Sequence, residues 1–240
     1  MIDIAEAARR LIAARASREP IPRLPVSCRP LTDEDAYAIQ DEITKVLGPV
    51  GGWKVGRGAP DADPIFAPIY QDMIHGHGAV LAAEDLPRRL VEVEAGFVFM
   101  RDWSSDAGAS PLRFVPVIEI VNFRHAAPGN TPRAELLADA FGNAGAAVAE
   151  PSSSEDMDPP ARGPVMVQID DDDIATVSMK YPMADLRRLA AWLCDELVRR
   201  GQRPRAGHFI TTGAIVGPVR AERRVSADWG PHGALAISFG

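Results

Sequence analysis

The sequence predicts an α+β protein in which a helical N-terminal portion leads into a mixed or antiparallel β roll. Three observations carry this expectation. Apolar residues recur at helical spacing in roughly the first fifty positions. Beyond Gly48-Pro49-Val50-Gly51-Gly52 the chain breaks into short β-like runs. Strand–helix–strand alternation is sparse, which argues against a doubly wound sheet.

Ile4, Ala7, Ala8, Leu11 and Ile12 space a first helix over 2–16. A proline-rich connection over 19–30 separates it from a second helix over 32–46, where Thr32-Asp33-Glu34-Asp35 resembles a capped start. Strands are expected at 53–55, 79–81, 90–100 and 115–121. Thr131-Pro132 offers an N-cap and a first-turn proline for a third helix running towards Asn143. Further strands follow at 164–169, 174–178, 209–212 and 234–239. Between them lies a fourth helix over 184–200, with Leu186, Leu189, Leu193 and Leu197 on one stripe and Gly201 as its stop. The segment 151–160 reads as an exposed loop. Asp170-Asp171-Asp172-Asp173 reads as a solvated hairpin turn, because the spacing of a calcium loop is missing. The expected organisation is a helical portion over 1–50 and a β catalytic portion over 51–240, joined as one continuous unit.

At 240 residues and 46% hydrophobic content, the chain can bury a full core. A formal net charge of −7 argues against a general nucleic-acid surface, which needs a basic patch. Cys28 and Cys194 are too far apart in sequence to suggest a disulfide framework or a zinc ribbon, and a reducing compartment suits them. Asp3 and Glu6 do not begin a secretory signal. No apolar run reaches the roughly 18–20 residues that span a bilayer. The expectation is a soluble cytoplasmic protein with no nucleic-acid or membrane partner. Gly51 to Gly58 is glycine-rich with a lysine, yet it lacks the order of a phosphate-binding loop.

The chemistry is concentrated in three glutamates. In the run Leu90-Val91-Glu92-Val93-Glu94-Ala95-Gly96-Phe97-Val98-Phe99-Met100, strand alternation puts Glu92 and Glu94 on one face with Gly96, Val98 and Met100. Both faces are largely apolar. Two carboxylates about 5–7 Å apart there repel by roughly 2–3 kcal/mol at an effective dielectric of about 20. A positive group between them would relieve this. Glu119 lies in Pro116-Val117-Ile118-Glu119-Ile120-Val121, a β-branched run that reads as a buried strand, where a charge needs a partner. Taken singly, each glutamate is explained by an edge position or an arginine partner. Taken together, three carboxylates from two strands make an all-oxygen site suited to Mg²⁺ or Mn²⁺ and poorly suited to zinc.

Four segments occur in a telling order: Gly52-Trp53-Lys54-Val55-Gly56, Val91-Glu92-Val93-Glu94, Val117-Ile118-Glu119-Ile120-Val121 and Thr211-Thr212-Gly213. Pro68-Ile69-Tyr70-Gln71-Asp72-Met73, Ala138-Asp139-Ala140-Phe141-Gly142-Asn143-Ala144-Gly145 and the closing Gly233 to Phe239 extend the pattern over nearly the whole chain. The chain resembles the 2-keto-4-pentenoate hydratase family of the fumarylacetoacetate hydrolase superfamily. That resemblance implies the mixed β-roll or barrel of the superfamily's C-terminal domain. It also implies Mg²⁺ or Mn²⁺ held by Glu92, Glu94 and Glu119, the residues that electrostatics selects.

The resemblance further implies a 2-oxo acid or dienol substrate and a homo-oligomer. Lys54, in the family's lysine context, is expected beside the substrate carboxylate or a developing oxyanion; the alternative is an exposed lysine. Asp72, in the family's Asp-Met segment, is a proton-transfer candidate or else a turn residue. Thr212, with the backbone N–H beside Gly213, is expected to bind the substrate carboxylate. Asp139 and Asn143, one helical turn apart, line the pocket or cap the helix end and stay outside the catalytic set. His75 and His77 alternate like ligands, but Gly76 and Gly78 favour a loop.

The leading expectation is a metal-dependent hydro-lyase that converts a short 2-hydroxy-2,4-dienoate into a 4-hydroxy-2-oxo acid. A 2-oxo acid decarboxylase of the same branch needs the same metal. A C–C bond hydrolase lacks support, because its third-ligand segment and a His-Glu water-activating pair are not visible. A non-catalytic 2-oxo acid binding relative is the reading from another class. Set against the resembled family, the shorter stretch after Arg57-Gly58-Ala59-Pro60, and Gly96 where family members carry a larger apolar residue, encourage it.

Overall fold

The computed structural model describes residues 2–58, 62–104, 111–151, 159, 163–172, 174–179 and 181–240. Helix α1 (Ile4–Ser17) starts where Asp3 accepts the backbone N–H of Glu6 at 3.0 Å. Helix α2 (Asp33–Leu47) starts at a reciprocal capping box between Thr32 and Asp35, as the sequence predicts. Ala7, Ala8 and Leu11 of α1 and Ala36, Ile39 and Ile43 of α2 bury their apolar stripes in the same core as the strands.

The chain then enters β1 (Val50–Gly56), β2 (Ile65–Tyr70), β3 (Ile74–His75), β4 (Ala79–Leu81), β5 (Leu90–Phe99) and β6 (Leu112–Val121). Helix α3 (Arg133–Ala138) precedes β7 (Asn143–Val148), β8 (Pro164–Ile169) and β9 (Ala175–Ser178). Helix α4 (Met183–Arg199) leads to β10 (Phe209–Arg220), β11 (Arg224–Asp228) and β12 (Ala234–Phe239). Two mixed sheets result, ordered β2-β1-β10-β5-β6-β7-β3 and β4-β12-β11-β8-β9. The parallel pairs are β1 with β10, β3 with β7 and β4 with β12; the other neighbours run antiparallel. The α+β class with a helical opening is therefore what the structure shows. No helix among the described residues is long and apolar enough to cross a membrane.

The seven-stranded sheet curls. Lys54 on β1 and Glu119 on β6 are three strand positions apart, about 14 Å in a flat sheet. Their side chains nevertheless meet, with the Lys54 ammonium donating to Glu119 Oε1. Irregular register along β10 accompanies the curl: its pairing with β5 slips between Thr211 and Ala214, between Ala214 and Val216, and again before Val219.

Several expectations need correction. The third helix ends at Ala138 instead of Asn143. Ala140 and Phe141 adopt φ of +50° and +49°, and the carbonyls of Asp139, Gly142 and Asn143 accept from the Arg124 guanidinium, while a 3₁₀ bond from the Gly142 N–H to the Asp139 carbonyl closes the turn. β2, β3, β7 and β11 are strands that the sequence did not announce, with His75 on β3 and not in the expected loop, and β10 runs on to Arg220. Asp170, in the turn after β8, accepts the backbone N–H groups of Glu222, Arg223 and Arg224. Asp173 and most of the loop expected over 151–160 lie outside the described residues.

Candidate active site

Glu92 and Glu94 stand on the same side of β5, and the β5–β6 register sets Glu119 directly opposite Glu92. One carboxylate oxygen from each lies within 4.8 Å of those from the other two. Among the described residues, this is the one such gathering of three metal-binding side-chain types. Glu119 is fully buried and Glu94 nearly so, while Glu92 is half-buried at the cavity wall.

The polar groups around the cluster are specific. Glu119 Oε1 accepts from Lys54 Nζ and, at 3.0 Å, from Asn143 Nδ2. Glu94 Oε2 accepts from the Thr211 hydroxyl and, at 2.8 Å, from the Gly213 N–H. The irregularity in β10 explains the second bond, since Gly213 has φ of +100°, a conformation that favours glycine and turns its N–H inward.

Crowding of like charges shows in the protonation equilibria. Burial, followed by the neighbouring Glu119 charge, raises Glu94 to about 8 against the opposing pull of Lys54. Glu92 is raised by burial and by Glu119. Burial alone would lower Lys54, but Glu119, Glu92 and Glu94 outweigh it and raise the ammonium above its ordinary value. A divalent cation fits this donor set: the oxygens are hard and anionic, and Glu119 Oε2 is buried with no hydrogen-bond partner among the described residues.

Lys54, Glu92, Glu94, Arg133, Phe141 and Gly213 help to line a cavity of about 290 Å³. A neighbouring cavity of about 490 Å³ shares Gly56, Arg57, Gly213 and Ala214 with it and extends to Leu186 and Thr212. Carboxylates, a cation and an apolar ring thus face one volume.

Of the residues singled out from sequence, Lys54, Glu92, Glu94, Glu119 and Gly213 come together. Thr212 borders the larger cavity, but its hydroxyl donates to the Ala95 carbonyl at 2.8 Å. Asp72 is exposed on the 3₁₀ turn Gln71–Met73 and is not among the residues lining either cavity. Among the described residues, His75 and His77 join no cluster of three. Asp139 pairs with Arg124 in the interior, and Asn143 reaches Glu119. Gly96 opens no extra space: a Cβ there would lie 2.5 Å from Val117 Cγ2 and 2.8 Å from the Ile210 carbonyl. Ala59 and Pro60 lie outside the described residues, while Arg57 borders both cavities.

Sequence reasoning passed over Thr211, Arg133 and Phe141. Phe141 lines the smaller cavity with a left-handed φ, a conformation that composition does not announce. Thr211 shares its dipeptide with Thr212, and only the strand face separates them.

No protein-family model matches the sequence. Among curated proteins, the chain is similar to 2-keto-4-pentenoate hydratase from Burkholderia vietnamiensis, at 29% identity over 91% of this chain and 89% of that protein. It is similar also to 2-oxo-hept-4-ene-1,7-dioate hydratase from Escherichia coli, at 23% identity over 97% of this chain and 96% of that protein. Its fold matches 4-oxalocrotonate decarboxylase from Pseudomonas putida G7 complexed with magnesium and adipate, with a TM-score of 0.79 and 18% identity, covering 99% of this chain and 97% of that one. By sequence the chain is similar to 2-keto-4-pentenoate hydratases along nearly its whole length, and it shares its fold with 4-oxalocrotonate decarboxylase.

Proposed function

We propose that this protein is a divalent-metal-dependent hydro-lyase that adds water to a short 2-hydroxy-2,4-dienoic acid to give a 4-hydroxy-2-oxo acid. The observation that carries the reading is the clustering of Glu92, Glu94 and Glu119 beside Lys54, on a cavity of about 290 Å³. Similarity to two hydratases along nearly the whole chain supports the reaction class. Magnesium in the structure of a protein with the same fold supports the class of ion.

Glu92, Glu94 and Glu119 would hold Mg²⁺ or Mn²⁺, ions that prefer carboxylate oxygen. Such an ion would supply Lewis-acid charge for the C1 carboxylate and C2 oxygen of the substrate. Lys54 is a fixed ammonium on the same wall, a donor for the oxygen on which negative charge grows during ketonisation. Its bond to Glu119 keeps it charged and oriented. Thr211 and the Gly213 N–H hold Glu94 in place. Ile65, Phe66 and Phe141 offer an apolar surface for the hydrocarbon part of the diene. Thr212 and Gly213 border the space into which a substrate tail extends. The same reading makes the protein a cytoplasmic homo-oligomer.

Hydration of 2-hydroxypenta-2,4-dienoate with and without Mg²⁺, followed by loss of the dienol absorbance and by product analysis, tests the reading. Glu94→Gln should abolish turnover with folding retained. Likeness of fold to a decarboxylase gives a second reading a specific basis. Release of CO₂ from a 2-oxo acid without hydrated product would select it, and tight 2-oxo acid binding without turnover would select a binding protein.

A further inference from the structure

Asn143, the first residue of β7, is 1% exposed, and its side chain is held at both ends. Its Oδ1 accepts the Gly145 N–H at 3.1 Å, and its Nδ2 donates to Glu119 Oε1 at 3.0 Å and to the Gly145 carbonyl at 3.3 Å. The orientation of the amide follows from chemistry. A backbone N–H can only donate, so the amide oxygen must face Gly145 N and the NH₂ must face the carboxylate.

The backbone of Asn143 is fixed just as firmly. Its carbonyl accepts from Arg124 Nη1 at 2.8 Å and from Arg15 Nη2 at 2.8 Å. Arg124 is itself locked by a buried ion pair with Asp139 and by the carbonyls of Asn122 and Asp139. A brace thus runs from α1 and the end of α3 to one oxygen of Glu119. That oxygen already receives Lys54, so Oε1 has two donors while Oε2, equally buried, has none.

From this asymmetry we infer that Asn143 is a positioning residue, which ties up Oε1 of Glu119 and leaves Oε2 for the cation. The inference rests on the metal-dependent reading above. A neutral amide is well matched to this position, because three carboxylates and one ammonium carry a net charge of −2 when all are ionised, which balances a divalent ion. A second cation at position 143 would undo that match, whereas an amide holds the carboxylate without adding charge to the site. Ordering a ligand through the groups behind it is a general lever on metal affinity.

The test is calorimetric titration of the metal-free protein with Mn²⁺, with folding checked by far-UV circular dichroism. Asn143→Leu keeps the side-chain volume and removes the donor; it should weaken Mn²⁺ binding by about 10–100-fold. Asn143→Ser shortens the side chain below the reach of Glu119 and should weaken binding in the same direction, which keeps the test decisive if the leucine variant does not fold. Mn²⁺ affinity within about twofold of the unsubstituted protein in a folded variant, alongside lost binding in Glu119→Gln, would overturn the role of Asn143 alone. An unsubstituted protein that binds no Mn²⁺ would overturn the metal-dependent reading and this inference together.

Discussion

Gly217 lies against the main chain at Glu92: a Cβ on it would come 2.5 Å from the Val91 carbonyl oxygen and 3.1 Å from Glu92 Cα. Its φ of +113° is also a conformation that strains any L side chain. β10 passes this close to the first of the three glutamates only because the position has no side chain. Gly217→Ala should therefore displace β5 locally, cost about 1–3 kcal/mol of stability and weaken Mn²⁺ binding. Urea unfolding and Mn²⁺ calorimetry measure the two effects, and a variant unchanged in both would show that the close approach is not maintained in solution.

Lys54 provides the ammonium that faces three carboxylates, and it does so from a partly wet position. Its side chain is 18% exposed, whereas Glu119 is fully buried. Lys54→Met in the metal-free protein leaves Glu119 with only the Asn143 bond, at a cost of about 3 kcal/mol, the low end for a broken buried pair. Saturating Mn²⁺ should restore much of that stability, because the ion binds only the folded state. If Lys54 is the proposed donor to the developing oxyanion, turnover should stay lower by about 10²–10³-fold. Urea unfolding in EDTA and in Mn²⁺, beside steady-state kinetics, separates the two effects. Equal stability of both proteins in EDTA would mean that solvent screens the pair.

Glu92 and Glu94 are legible in the sequence because strand alternation alone puts them on one face, and Glu119 because a β-branched run buries whatever it contains. Their convergence is expected from the charges and the resemblance, but the register that brings it about, with Glu119 opposite Glu92, is a cross-strand relationship that spacing along the chain does not carry. β2 escaped notice because Pro68 argues against a strand; it survives as an edge strand, where a missing N–H is tolerated. The end of α3 depends on Arg124, whose guanidinium takes three carbonyls that a continuing helix or its cap would use. Nothing in the local spacing of 131–143 reveals that competition. Asn143 is legible as a pocket-lining candidate, but its bond to Glu119 follows the end of α3 and is not legible.

Thr211 and Thr212 are neighbours with different partners. The Thr211 hydroxyl donates to Glu94, and the Thr212 hydroxyl to the Ala95 carbonyl. Thr211→Val preserves shape and removes a bond to an acidic group, worth about 1.5 kcal/mol or roughly tenfold in kcat/KM. Thr212→Val removes a neutral bond in the β10–β5 region and should cost about 1 kcal/mol of stability with a smaller effect on turnover. Parallel kinetics and unfolding of the two variants make the comparison. The reverse pattern would assign the substrate-facing hydroxyl to Thr212.

His125 is fully buried where an isolated bridge joins it to Ile21. Burial lowers its imidazole below the ordinary value of 6.5, and the nearby Asp139 and Glu135 only partly offset this, with Arg124 adding to the lowering. Above the unfolded value both states hold a neutral ring, and this group contributes no slope. As pH falls below it, the unfolded chain binds a proton that the folded chain refuses, so stability is lost until the folded value is reached. His75 and His208, also lowered by burial, act in the same sense, whereas the raised Glu92 and Glu94 act in the opposite sense in metal-free protein. The diagnostic quantity is therefore a difference between variants. Between about pH 7.5 and about pH 5.5, His125→Leu should lose less stability than the unsubstituted protein, as measured by urea unfolding in EDTA. Equal losses in the two proteins would mean that His125 binds its proton as readily in the folded interior as in the open chain.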